Sequence, residues 1–196
     1  MIGRALRSRV AVVWLVLATL GGAILVIELT EGRWSDRAGE VDPRLLLPVP
    51  VSTLGAIELV NAGRRHRFER DAAGAWLYHG AHTGAESGSH AHVADPVQSQ
   101  RIGVVFAALG RARVEREFPR ASEAKDYGVT TPQFLILLYR PREPQPLAQY
   151  AVGDVAPDTV SRYVEQVGSA RVVTIPSYQI DNLLALLATV EASAPR

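Results

Sequence analysis

Residues 56–78, AIELVNAGRRHRFERDAAGAWLY, carry the pattern that decides the fold. Ile57 and Leu59 are set against a partner face holding Glu58 and Asn61, the two-residue rhythm of a strand whose sides meet different surroundings. Ala62-Gly63 then turns the chain into a second strand ending in His66-Arg67-Phe68-Glu69-Arg70. Asp71-Ala72-Ala73-Gly74 is a second turn, because glycine supplies positive φ and aspartate bonds to its own backbone; Ala75-Trp76-Leu77-Tyr78 is the third strand. The expectation is a three-strand meander. Phe68 and Trp76 belong to its core, since an aromatic at strand spacing usually serves packing, and His66, lying among arginines, is expected at the surface.

Beyond the meander, His79 to Ala94 is rich in glycine, serine and histidine, and holds His79, His82, His90 and His92, four of the five histidines. Imidazole is the commonest metal ligand, so these four could hold a transition metal, with Glu86 or Asp95 adding oxygen. The competing reading is a solvated loop, because the interspersed glycines and serines impose no fixed geometry. Asp95-Pro96-Val97-Gln98 opens a helix: aspartate caps, proline fits the first helical position, and glutamine completes a capping box. Val97, Ile102, Val105, Phe106 and Leu109 form its apolar stripe, and Gly110 stops it.

Arg111, Arg113, Arg116 and Arg120 interleave with Val114, Glu115, Glu117 and Phe118, as in an edge strand with a basic outer face. A helical turn follows from Ala121 to Tyr127, ended by Gly128 in a left-handed conformation, with Tyr127 packing and hydrogen bonding back. Phe134 to Tyr139 is a continuous apolar strand. Leu147 to Val152 is another, ending in a turn at Gly153-Asp154. Arg162 to Val167 and Arg171 to Ile175 flank the turn Gly168-Ser169. Ser177 is placed to cap a last helix that lines up Ile180, Leu183, Leu184, Leu187 and Val190. Strands followed by one helix thus occur twice, the pattern of a degenerate meander-plus-helix repeat.

Toward the N-terminus the character changes. Arg4, Arg7 and Arg9 precede the 18 uncharged residues Val10 to Ile27. At 1.5 Å per residue such a helix just crosses a bilayer core of about 30 Å. A cleaved signal peptide is the competing reading, but its apolar region is shorter and ends at a small-x-small site, which Glu28-Leu29-Thr30-Glu31-Gly32 does not provide. Residues 1–9 are therefore expected as a cytoplasmic basic flank and 10–29 as a transmembrane anchor in contact with lipid. Residues 30–52 follow as a linker broken by Pro43, Pro48 and Pro50, and 53–192 as an extracytoplasmic domain. In a bacterium this is a single-pass inner-membrane protein with a periplasmic domain. The fold class is α+β: a transmembrane helix, then a mainly antiparallel sheet with two packed helices.

The meander with Trp76, Asp95 opening a helix, an Arg/Glu strand, Tyr127-Gly128-Val129 with Thr131-Pro132, the Val152-Gly153 strand end and Tyr163-Val164 together carry a resemblance. The chain from about Gly55 to Val190 resembles the bacterial domain-of-unknown-function 4340 family, and Tyr-Gly-x-x-x-Pro is the most specific shared element. The resemblance implies membrane anchoring and, for some members, a place beside gliding-type ABC transporters. It implies no catalytic residues. The histidine-rich insert and the single copy of the domain depart from the family.

Composition narrows the function further. The chain has 196 residues, 21 basic and 20 acidic side chains and a net charge of +1, a balance that gives no electrostatic reason to expect nucleic acid as a partner. Cysteine is absent, which excludes disulfides, thiolate metal sites and cysteine nucleophiles; Lys125 is the single lysine. No Walker, Gly-x-Gly-x-x-Gly, Gly-x-Ser-x-Gly or His-Glu-x-x-His sequence occurs. Glu115 and Glu117 share a strand with arginines that would keep them ionised, which suits surface pairing. The reading is a non-enzymatic accessory or assembly subunit of a membrane complex, without a cofactor and in contact with other subunits. The alternative is a metal-binding or metal-delivery module built on the histidine loop.

Overall fold

A computed structural model describes residues 42–82, 95–120 and 127–193. Two meanders lie side by side in one eight-stranded antiparallel sheet of order β3-β2-β1-β5-β6-β7-β8-β4. The first is β1 (Ala56–Asn61), β2 (Arg64–Arg70) and β3 (Trp76–His82); the second is β5 (Phe134–Tyr139), β6 (Ala148–Val155), β7 (Ser161–Gln166) and β8 (Arg171–Pro176). They join through β1 and β5, where Ile57 sits opposite Leu138 and Leu59 opposite Ile136. Helix α1 (Pro96–Leu109) follows β3, β4 (Arg116–Pro119) closes the far edge beside β8, and α2 (Ser177–Ser193) ends the described chain. The expected α+β class with two helices is what forms, although the second meander has four strands and the halves are unequal.

The turns follow their residues. Ala62 and Gly63 both have positive φ, 47° and 79°, the combination of a type I′ hairpin turn whose twist matches that of the strands. Asp71 accepts the Ala75 amide on Oδ1 at 2.8 Å, closing the next turn beside Gly74 at φ 85°. Alternation then sends Ile57, Leu59, Phe68, Trp76, Ile136, Leu138, Tyr150, Val152, Val164 and Ile175 to one face, where both helices cover them in a single core. Phe106 of α1 meets Phe68 and Trp76 edge-on, with centroids 5.2 and 4.9 Å away.

Several expectations need correction. His66 is buried at 1% exposure, because its position two residues before Phe68 turns it to the helix-covered face. Val97 stands 68% exposed, since five residues separate it from Ile102, about 140° around the helix from the stripe Ile102-Phe106-Leu109. In α2 the buried set includes Leu186, whereas Leu184 is partly buried, and Ser177 does not cap: its Oγ is buried without a hydrogen bond. Gly110 ends α1 in a right-handed conformation; a Cβ there would lie 2.7 Å from Val51 Cγ2, so close approach explains the glycine. Strand β6 continues through Gly153 to Val155, with a register shift after Val152 in place of a turn.

The compact unit begins at Asp42, ahead of the boundary expected near Thr53. Leu46, Leu47, Val51 and Leu54 all enter the core. The Leu46 amide donates to the Ala112 carbonyl at 2.9 Å, the Val114 amide donates to Arg44, and Tyr150 Oη donates to the Leu46 carbonyl at 3.0 Å. Prolines here shape an irregular strap that satisfies its backbone on the chain between α1 and β4. Residues 1–41, which contain the expected anchor, lie outside the described residues, as do 121–126. Among the described residues, no helix is long and apolar enough to cross a membrane.

Candidate functional site

The loop from Tyr127 to Gln133 enters β5 and lies across the end of β6. Tyr127 and Gly128 have positive φ of 49° and 72°, and the Tyr127 carbonyl accepts the Asp154 amide at 2.9 Å. The expected left-handed Gly128 is therefore present. Two glycines interlock at this crossing. A Cβ on Gly128 would come within 2.7 Å of the Asp154 carboxyl, and one on Gly153 would overlap the Tyr127 carbonyl and Val129. Tyr127 itself packs on Tyr163 and Phe118, with centroids 4.5 and 5.9 Å apart.

This crossing forms one wall of a cleft of about 610 Å³, lined by Tyr127, Gly128, Thr131, Gln133, Asp154 and Arg162 together with apolar residues of β5 and β6. Arg162 stands beside the β6 irregularity, paired in register with Val155 and Ile175. Its Nε is buried with no hydrogen-bond partner. Sequence reasoning missed Arg162, Asp154 and Gln133 as a group. The one available signal was the glycine of Gly153-Asp154, which marks a close backbone approach in a strand interior.

The sheet face turned away from the helices carries a separate ionic group. Glu58, buried at 3% exposure, accepts from Arg67 Nη1 at 2.8 Å and from Tyr139 Oη at 2.7 Å. Arg67 also donates to Glu69 and lies over the Tyr139 ring at 5.1 Å. Burial, with the hydrogen bond and charge of Glu58, pushes the Tyr139 phenol up to about 12. Burial lowers the affinity of Arg67 for its proton, but its bonds to Glu58 and Glu69 outweigh this and hold it more firmly charged. A carboxylate so fully engaged braces β1, β2 and β5.

On the helix-covered face, His66 Nδ1 lies 2.9 Å from Tyr78 Oη and its Nε2 lies 3.4 Å from Glu191 Oε1, which Arg64 also engages at 2.9 Å. Burial lowers the pKa of His66 from 6.5, opposed by Glu191 and aided by Arg64. At the far edge Glu117 pairs with Arg171 at 2.6 Å, the expected surface pairing, whereas Glu115 accepts Ser161 Oγ at 2.8 Å.

The four histidines considered as metal ligands are divided. His79 lies on β3 with Nδ1 3.9 Å from Glu69 Oε2, and the backbone of His82 pairs with Arg65 at the end of β3. His90 and His92 lie outside the described residues. Among the described residues, no group of three or more His, Cys, Asp or Glu side chains is gathered to hold a metal ion.

A family model described as a domain of unknown function, DUF4340, matches residues 89–193. The chain belongs to the DUF4340 family. No curated protein and no solved structure matches it. The DUF4340 span takes in α1, the second meander and α2, and so contains the Tyr127-Gly128 crossing, Asp154 and Arg162; β1 to β3 lie ahead of it.

Proposed function

We propose that this protein is a single-pass accessory or assembly subunit of a bacterial membrane complex, acting through protein contacts and without catalysis of its own. The observation that carries this reading is the place of β3 at the edge of the described sheet. That strand has seven residues, Trp-Leu-Tyr-His-Gly-Ala-His, with no proline and no acidic, lysine or arginine side chain, and among the described residues its ladder partner is β2 alone. The opposite edge, β4, is only four residues long and carries Arg116, Glu117 and Pro119, the devices that discourage strand addition. A long edge strand without charged side chains on one side of the described sheet, opposite a blunted one, suits a partner that adds a strand beside β3. The uncharged run Val10 to Ile27 and its arginine flank support an anchor with the sheet domain outside the cytoplasm.

The test is extraction of full-length protein from its native membrane in mild detergent, followed by mass spectrometry of what accompanies it. Stoichiometric membrane partners are expected, with their recovery cut about tenfold by Leu77→Lys, which puts a charge on that edge strand. A monodisperse monomer under several mild conditions would overturn the reading.

A further inference from the structure

We infer that the cleft between the Tyr127-Gly128 crossing and Arg162 is a binding site for a carboxylate-bearing ligand. This goes beyond the accessory-subunit reading and stands independently of it. Arg162 supplies the first argument. Among the described residues it is a half-buried guanidinium with neither a hydrogen bond nor an ion pair, and its Nε is shielded from solvent. The other half-buried arginines among the described residues hold partners through other atoms: Arg67 pairs with Glu58 and Glu69, and Arg70, whose Nε is likewise buried without a hydrogen bond, reaches the Gly74 carbonyl through Nη1 and lies over Trp76. A guanidinium that lines a cleft without an ion-pair partner offers its accessible N–H groups to an arriving acceptor.

The container supplies the second argument. At about 610 Å³ the cleft falls within the range of small-ligand sites, roughly 300–1,000 Å³. Its wall is held in one shape by the interlocked Gly128 and Gly153, and Tyr127 is kept in a left-handed conformation that a non-glycine residue rarely adopts. Such rigidity lowers the ordering cost of binding.

Charge selects the ligand class. Arg162 and Asp154 leave the cleft neutral overall, so no surplus of positive charge offsets the larger desolvation cost of a doubly charged phosphate relative to a single carboxylate. The planar fork of arginine matches a carboxylate, while Asp154, Gln133 and Thr131 offer partners to N–H groups beside that carboxylate. A small organic acid or an acidic residue of a polypeptide shares this chemistry.

The experiment uses the full chain in mild detergent with isotope-labelled arginine, reading the Arg162 Nε–H resonance and the amides of Gly128 and Gly153. Sodium acetate, the blocked peptide acetyl-Ala-Asp-Ala-amide and inorganic phosphate are titrated at constant ionic strength. A saturable shift is expected with acetate or peptide, about tenfold weaker with phosphate. It should be lost in Arg162→Gln and weakened about tenfold in Arg162→Lys, which keeps the charge without the planar fork. Tighter binding of the peptide assigns the carboxylate to a polypeptide, and equal or tighter binding of acetate assigns it to a free acid. No saturation with either, equal binding of phosphate, or an unchanged titration in both variants overturns the proposal.

Discussion

His66 shows how one position in a strand sets the protonation behaviour of a group. Its parity with Phe68 carries the imidazole under α2, where Tyr78 Oη, Glu191 and Arg64 are the polar groups around it. Burial, the largest cause, lowers its pKa despite Glu191, so between the folded and unfolded values the unfolded chain binds the additional proton. Stability is therefore full above the unfolded value near 6.5 and declines as pH falls below it, with a slope no steeper than about 1.4 kcal/mol per pH unit. Denaturant melts from pH 7.5 to 5 should show this decline, and His66→Gln should flatten it. Gly153 is the second decisive residue. A Cβ there would occupy the space of the Tyr127 carbonyl, so Gly153→Ala is expected to destabilise by about 2–3 kcal/mol, read as a lower urea midpoint with unchanged slope.

Helix α1 depends on its ends as well as its buried stripe. Asp95 Oδ1 accepts the Val97 amide at 3.0 Å, and Pro96 occupies a position where no N–H is required. Asp95→Ala should cost about 1 kcal/mol, whereas Val97→Ala, at an exposed position, should fall within about 0.5 kcal/mol of the parent in the same melt. The helix is also fixed sideways, since Ser99 Oγ donates to the Trp76 carbonyl at 2.7 Å. That bond occupies one acceptor at the start of β3, which among the described strands lies at the sheet edge. The two sheet edges consequently differ in chemistry as well as length, which is why the contact is proposed for β3.

The whole domain is closed by a segment that carries no regular strand period. Residues 42–54 bury Leu46, Leu47, Val51 and Leu54 and tie the chain between α1 and β4 to the core of both meanders. A protein begun at Asp42 should unfold cooperatively. One begun at Thr53 loses Leu46, Leu47 and Val51 and should be less stable by about 5 kcal/mol or more, or fail to fold, as calorimetry would report. Phe106→Ala, at the point where α1 meets Phe68 and Trp76, should cost about 3–5 kcal/mol.

Local rules were enough for much of this architecture. The strands around Ile57, Phe68, Trp76 and Phe134, the turns at Ala62-Gly63 and Gly74, the cap at Asp95 and the left-handed Gly128 are governed by alternation, glycine φ and capping, all of which act over a few residues. Parity alone was sufficient to bury His66 beside Phe68, though its arginine neighbours suggested the surface. Tertiary structure decided the rest. The union of two meanders through β1 and β5, the burial of Leu46 and Leu47, and the meeting of Tyr127, Asp154 and Arg162 all join residues far apart in sequence. Such pairings are selected by which apolar faces can be covered together, and a period of two or 3.6 residues names the face without naming what covers it.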